Sequence, residues 1–261
     1  MRKTFVSLSF DDGRTDNYAI AVPMLKKYGL AATFTVTTGF IARLRDKGWL
    51  TPADPMDWAM VEELHRDPSM EIAGHGHLHR NTLEDILEGA KQLKEHLDGF
   101  QIRGFASPGT GLSLASYQTM KETFREHGIA YVRLSQHYRS LPALKTFIRK
   151  VSRVIPLPIL YRLAYQDTLM NDCKDGIVYS VPVLSPIPVG SLKALIAYAE
   201  KRHLACVLMF HSIVEKGEVR DNWDYERDKF EELCAWLADR SAKGALEVAT
   251  TWDVYQHLKE D

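Results

Sequence analysis

The chain has 261 residues, 45% hydrophobic and 26% charged, with a formal net charge of -1. That length is enough to bury a sizeable core within one domain, and without a basic excess there is no footprint of a nucleic-acid partner. Three widely spaced cysteines, Cys173, Cys206 and Cys234, argue against both a disulfide framework and a thiolate metal cage.

The N-terminus, Met1-Arg2-Lys3-Thr4-Phe5, enters a strand pattern at once. It shows neither an apolar leader nor a run long enough to span a bilayer, so the expected location is the cytoplasm. Phe5 to Phe10 reads as a buried strand. Tyr18 to Tyr28 carries the helical stripe Ile20, Met24 and Leu25, stopped by Gly29. Ala32 to Thr37 is a second strand, rich in β-branched and aromatic residues. The alternation continues with a helix over Met56 to His65, a strand over Met70 to Ala73 and a helix over Leu83 to Leu97. A strand over Ile102 to Ala106, a helix over Leu114 to His127 and a strand over Ala130 to Arg133 follow. The C-terminal part offers a strand over Ile177 to Val183, a helix over Ser191 to Arg202 and the strongly apolar strand Leu204 to Phe210. It ends with a helix over Tyr225 to Arg240 and a strand over Leu246 to Ala249. Strand and helix thus alternate about seven times, which predicts an α/β fold on a parallel sheet. A barrel would gather functional residues at the C-terminal ends of its strands; an open doubly wound sheet has the same periodicity. The first strand is followed by Asp-Asp-Gly, which is the wrong chemistry for cradling a phosphate.

A basic, Pro-containing insertion at about 138–175 breaks this rhythm. Arg139, Lys145, Arg149, Lys150, Arg153 and Arg162 mix there with Phe147, Ile148, Val154, Ile155, Leu157, Ile159 and Leu160, interrupted by Pro156 and Pro158. The plain expectation is a helical insertion with a solvated basic face. The sharper one is a peripheral membrane contact through 140–165, or a surface for a lipid-linked or anionic substrate, at the inner face of the membrane.

Three places carry chemistry. Asp11 and Asp12 stand directly after the first strand, and adjacent buried carboxylates need a cation or a proton to relieve them; a solvated Asp-Gly turn is the ordinary alternative. His75, His77 and His79 alternate just past the third strand, and neutral imidazole is the commonest protein metal ligand. One helical turn would bring His75 and His79 together, whereas an extended segment would pair His77 with either neighbour. His211 ends the apolar strand Cys206-Val207-Leu208-Met209-Phe210. A lone histidine there is usually structural, although active sites of barrels gather at such strand ends.

In their order, these pieces resemble the polysaccharide deacetylase domain family, also called the chitooligosaccharide deacetylase (NodB) homology domain or carbohydrate esterase family four. Ser9-Phe10-Asp11-Asp12-Gly13 is similar to its first motif, Glu71 to His79 to its second (with Ala73 at a usual glycine), and Val207-Leu208-Met209-Phe210-His211 to its late strand. Leu25 to Phe34 and Phe230 to Thr251 echo further elements, so the resemblance spans most of the chain and is weakest between about Gln136 and Gly176. It implies a single-domain, distorted (β/α) barrel of about seven strands over 1–261. It also implies one divalent metal, most often zinc, on Asp12, His75 and His79, though cobalt or nickel would suit the same ligands. Asp11 would be the general base that activates the attacking water, and His211 the general acid that protonates the leaving amine. The metal and a backbone N–H would stabilise the oxyanion. A Lewis acid suits the resistant amide bond, three protein ligands leave a coordination position open, and a separate acid is needed because amines leave poorly.

The match departs from the family at its third motif, Phe105-Ala106-Ser107-Pro108-Gly109-Thr110, where Ala106 stands at the position of an arginine that holds the catalytic aspartate. Arg133 or Arg103 would have to supply the cation, with Arg133 favoured because it ends a strand; His77 is left to support the site or face substrate. No tryptophan-bearing motif stands out in the irregular middle region. The leading expectation is a metal-dependent amide hydrolase that N-deacetylates a sugar in glycan or glycolipid precursor biosynthesis. Hydrolysis of a small linear or cyclic amide in nitrogen metabolism and non-catalytic, metal-containing sugar binding are the alternatives.

Overall fold

The computed structural model describes residues 3–42, 54–135, 137, 141–155 and 157–259. The described chain opens with β1 (Thr4–Phe10). A π-helical turn (Asn17–Ala21) then runs into α1 (Val22–Tyr28), which ends as expected at Gly29, in the left-handed region at φ 63°. β2 (Ala32–Val36), the short α2 (Thr38–Ile41), α3 (Trp58–Arg66), β3 (Met70–Gly74), α4 (Leu83–His96), β4 (Gly104–Ala106), α5 (Leu114–Glu126) and β5 (Tyr131–Leu134) follow in turn. The insertion forms α6 (Pro142–Val154) and α7 (Pro158–Tyr165). Beyond it lie β6 (Ile177–Tyr179), β7 (Val181–Pro182), α8 (Val189–Glu200), β8 (Cys206–Phe210), β9 (Ser212–Val214) and β10 (Asp224–Glu226). α9 (Arg227–Ala242), β11 (Leu246–Val248) and α10 (Thr251–Lys259) complete the described order.

The main sheet runs β6-β5-β4-β3-β2-β1-β8-β7, and its neighbours pair in parallel. Its two ends, β6 and β7, are successive pieces of one stretch separated by Ser180. The strand predicted over Ile177 to Val183 is therefore interrupted: its first half pairs with β5 and its second with β8, and this closes the sheet into a distorted, nearly closed barrel. Counting that stretch once gives seven staves. β11 adds to the outer half of β1, Thr4 facing Leu246. A barrel, not the open doubly wound sheet, is the architecture.

Side chains alternate across the strands with period two. Val6, Leu8 and Phe10 of β1, Ala32, Phe34 and Val36 of β2, and Cys206, Leu208 and Phe210 of β8 join the main hydrophobic core, packed with Leu25, Phe230, Leu233 and other helix residues. The alternate positions face one another inside the barrel and are largely polar: Ser7, Thr33, Thr35, Glu71, Tyr131 and Arg133 are linked there by hydrogen bonds. Val254, Tyr255 and Leu258 of α10 form a second apolar cluster with Tyr131, Val178 and Val207. This closes the N-terminal end of the barrel and leaves the C-terminal end for the site.

The insertion forms two helices, and Lys150 and Arg153 of α6 are exposed, but its apolar residues are not simply turned inward. α6 turns Lys145 and Ser152 inward and leaves Leu144, Phe147 and Val154 exposed. Lys145 is held by the Leu163 carbonyl and the Asp167 carboxylate, and Ile148 packs on the core beside it, so tertiary partners share in deciding which side packs. Arg139 and Pro156 lie outside the described residues. Among the described residues no helix is long and apolar enough to cross a membrane.

Candidate metal centre and active site

Asp11 and Asp12 follow the last residue of β1, His75 that of β3 and His211 that of β8, so all four stand at the C-terminal end of the barrel. The inward positions of β1 continue to Asp11, whose backbone N–H still donates to the Phe210 carbonyl (3.0 Å). At Asp12 the chain turns, with φ at +79°, and His79 lies at +60°. Non-glycine residues enter this region at a cost of roughly 1–2 kcal/mol each. Such strain persists where the surrounding structure over-determines it, as at functional sites.

These turns converge the three candidate ligands. His75 Nε2 and His79 Nε2 lie 3.5 and 3.4 Å from Asp12 Oδ1, and the ligand atoms of the trio all fall within 4.8 Å of one another. His77 takes no part. Its ring nitrogen Nδ1 pairs with Thr38 Oγ1 at 2.9 Å, and its backbone N–H donates to Asp85. His75 Nδ1 sits 2.9 Å from the Ala106 carbonyl; donation there leaves Nε2 as the free lone pair, the usual way a supporting hydrogen bond fixes a ligand tautomer.

Both Asp12 oxygens are buried without a hydrogen-bond partner. Burial pushes this carboxyl up, yet the two imidazoles and the neighbouring His211 hold it well below the ordinary carboxylate range. A buried carboxylate with no hydrogen-bond partner, 3.4–3.5 Å from two imidazole nitrogens, is an environment a divalent cation would satisfy, so this set of ligand atoms fits such an ion. Arg14, buried beside it, places Nη1 3.5 Å from Asp12 Oδ2.

Asp11 has the opposite surroundings. Arg133 Nη2 donates to both of its oxygens at 2.6 Å, Thr35 Oγ1 donates to Oδ1 at 3.0 Å, and Arg133 Nη1 reaches Ser180 Oγ at 3.0 Å. Burial again raises the carboxyl, but Arg133, His75 and His211 outweigh it and hold it below its usual value. Arg133, one strand over from Ala106, thus stands against the aspartate. Arg103 does not: it precedes β4, at the other end of the barrel, and stacks its guanidinium 5.2 Å from the Trp252 ring centroid.

His211 packs against Trp223, ring centroids 4.4 Å apart, and its Nδ1 is buried with no hydrogen-bond partner among the described residues. Burial lowers its pKa, while Asp12 and Asp11 pull the other way. Trp223 lies between β9 and β10, outside the irregular middle region.

Sequence reasoning also missed the frame of the histidine loop. Asp85 accepts from the backbone N–H groups of His77, Leu78 and Arg80 (3.1, 2.7 and 2.9 Å). Its place in Thr82-Leu83-Glu84-Asp85 is visible in sequence as a helix-capping pattern, with Thr82 as the N-cap; its reach back into the loop is not. Gly39 donates to the His77 carbonyl at 2.8 Å, and a Cβ on Gly39 would stand 2.4 Å from that oxygen.

A family model described as polysaccharide deacetylase matches residues 1–131 of the chain. Comparison with curated proteins gives no match. Among solved structures, the chain is similar to the deacetylase domain of BpsB from Bordetella bronchiseptica (21% identity, TM-score 0.43), covering 51% of this chain and 64% of that one. The chain thus spans slightly less than two thirds of that relative's length. It is also similar to the Xyl-CE4 domain of a multidomain xylanase from the hindgut metagenome of Trinervitermes trinervoides (12% identity, TM-score 0.49), covering 97% and 90% of the two chains. A Mycobacterium smegmatis protein assigned as a polysaccharide deacetylase shares 13% identity with a TM-score of 0.56, covering 99% of this chain and 91% of that one. At such identities the last likeness speaks to the fold.

Proposed function

We propose, for a chain that belongs to the polysaccharide deacetylase family, the metal-dependent N-deacetylation of an N-acetylated sugar in a glycan or glycolipid precursor. The observation that carries this reading is the contrast between two adjacent carboxylates. Asp12 is buried beside two imidazole nitrogens with neither oxygen hydrogen-bonded and Arg14 no nearer than 3.5 Å, whereas Asp11 is hydrogen-bonded through both oxygens to Arg133. Identical side chains, one residue apart, are thereby prepared for different tasks.

Asp12, His75 and His79 would hold one divalent ion, most readily zinc, which when bound supplies Lewis acidity towards the amide carbonyl and the attacking water. Asp11, kept ionised by Arg133, accepts the proton of that water. His211, at the end of β8, delivers a proton to the amine as the C–N bond breaks, without which the amine would leave poorly. Thr35 and Ser180 fix the Asp11–Arg133 pair, so that the base keeps one orientation. Trp223 packs on His211 and limits the ring's rotation.

Metal analysis of purified protein, joined to acetate release from a panel of N-acetyl sugars and small amides, tests the reading. About one equivalent of divalent metal is expected in the wild type and none in folded His79→Ala. Asp11→Asn should keep the metal and lose turnover. Metal retained in His79→Ala would remove the ligand assignment, and turnover undiminished in Asp11→Asn would remove the base. Turnover confined to small amides would move the substrate away from sugars, and sugar binding without any turnover would replace the enzyme by a binding protein.

A further inference from the structure

Among the described residues ten large hydrophobic side chains are exposed, and seven of them lie in one short stretch: Leu141, Leu144, Phe147, Val154, Ile155, Leu157 and Ile159. Val154, at 81% exposure, is the extreme, and with Ile155, Leu157 and Ile159 it brackets the turn between α6 and α7. Soluble surfaces tolerate single apolar residues but rarely a contiguous patch.

α6 is amphipathic with much of its apolar side turned out. Leu144, Phe147 and Val154 recur at helical spacing along an outward stripe with half-buried Val151 between them, Lys150 and Arg153 flank that stripe, and Lys145, Ser152 and half-buried Ile148 face the protein. A helix that buries a lysine and presents leucine, phenylalanine and valine is built for an apolar partner outside the barrel. The charge pattern narrows that partner. Residues 141–165 hold no acidic residue, and of their cations Lys150 and Arg153 are exposed on this side, whereas Lys145 is turned inward onto Asp167 and Arg162 lies over the Tyr198 ring. Two copies meeting on this face would bring Lys150 and Arg153 against their like with no carboxylate in the segment to pair them, so the surface complements something that is both apolar and anionic.

We infer that the α6–α7 hairpin docks the protein onto an anionic phospholipid bilayer. The apolar turn and the Leu144–Phe147–Val154 stripe enter the acyl boundary, and Lys150 and Arg153 stay at the level of the lipid phosphates, as on interfacial amphipathic helices. The layering is what singles out a bilayer: the apolar groups crowd the projecting turn, with the cations alongside. Tyr161 of α7 donates to the Pro182 carbonyl at the C-terminal end of β7, which anchors the hairpin to the barrel end that carries Asp11, Asp12 and His211. A docked molecule would therefore hold its site close to the membrane plane. The inference stands on this surface alone and does not rest on the deacetylase chemistry.

Cosedimentation with vesicles of phosphatidylcholine containing phosphatidylglycerol, against vesicles of phosphatidylcholine alone, tests it. Binding to the anionic vesicles is expected, falling roughly thirty-fold in Lys150→Ala/Arg153→Ala and below detection in Phe147→Asp/Val154→Asp. These positions are exposed, so both variants should melt with the wild type. No wild-type binding to anionic vesicles would overturn the inference. So would equal binding to neutral vesicles, or binding that survives Phe147→Asp/Val154→Asp. A dimer detected by light scattering and abolished by those two substitutions would assign the face to self-association and overturn it equally.

Discussion

Replacing Arg133 by methionine tests whether a cation on β5 supports the aspartate that follows β1. Both side chains of the pair are 3% exposed and their shortest contact is 2.6 Å. Removing the guanidinium would leave the Asp11 carboxylate buried with the Thr35 hydroxyl as its remaining side-chain hydrogen-bond donor among the described residues. Breaking a buried pair from one side costs about 3–5 kcal/mol, mostly because the remaining charge is uncompensated. Urea denaturation of chelator-treated protein would read this directly, without metal binding to mask it. Arg133→Met should lose about 3–5 kcal/mol and Asp11→Asn less. The double variant, with neither charge, should be more stable than Arg133→Met, which gives a coupling near 3 kcal/mol. Arg133→Lys should fall between, since one ammonium cannot span Asp11 and Ser180 as the planar guanidinium does. A coupling below about 1 kcal/mol would refute the reasoning, as the contact would then be worth no more than an exposed ion pair.

Glu71 provides a pH test away from the site. Burial pushes its carboxyl up to about 7 against an ordinary 4.5, although Trp252 N–H, Thr33 and Tyr131 donate to it. The folded state therefore binds the extra proton, so stability is highest below about pH 4.5 as far as this group is concerned. It falls as pH rises through 7, by at most about 3 kcal/mol. Glu71→Gln should remove that slope between pH 5 and 8 in urea titrations; an unchanged slope would count against the assignment. Gly39→Ala should displace the histidine loop, because the added carbon meets the His77 carbonyl, and metal affinity should drop at least about ten-fold by competition with a chelator. Asp85→Ala should free the N–H groups of His77, Leu78 and Arg80, costing about 2–4 kcal/mol of stability and weakening metal retention. Wild-type metal affinity in either variant would show that the loop holds its shape without them.

The strand–helix alternation and the positions of Asp11, Asp12, His75, His79 and His211 just past apolar runs were legible in the sequence because each depends on local pattern. The choice between Arg133 and Arg103 was less so, although strand polarity separates them: one lies near the C-terminal end of β5, the other just before β4. The polar interior was written in the alternation of Ser7 and Ser9 with Val6, Leu8 and Phe10, but an apolar reading of β1 as simply buried passes over it. Arg14 beside Asp12, Trp223 against His211 and Asp85 beneath the histidine loop depend on contacts between distant segments or on side-chain reach, which periodicity does not encode. For α6 the period marks two faces but not the inward one. That was decided in part by the Leu163 carbonyl and Asp167, which receive Lys145.

The interruption at Ser180 joins two matters that a regular barrel keeps apart. Its backbone N–H and its hydroxyl both donate to the Leu134 carbonyl, while the same hydroxyl accepts from Arg133. The seam by which the barrel closes is therefore also the bracket of the arginine. Segments held by few contacts open at lower free energy than the core, and amide exchange reports such local openings. Parting β6 from β5 would take the Ser180 hydroxyl from Arg133, whereas the turns carrying Asp12, His75 and His79 are rooted in β1 and β3. The closure of the barrel and the setting of the Asp11 carboxylate thus share one serine.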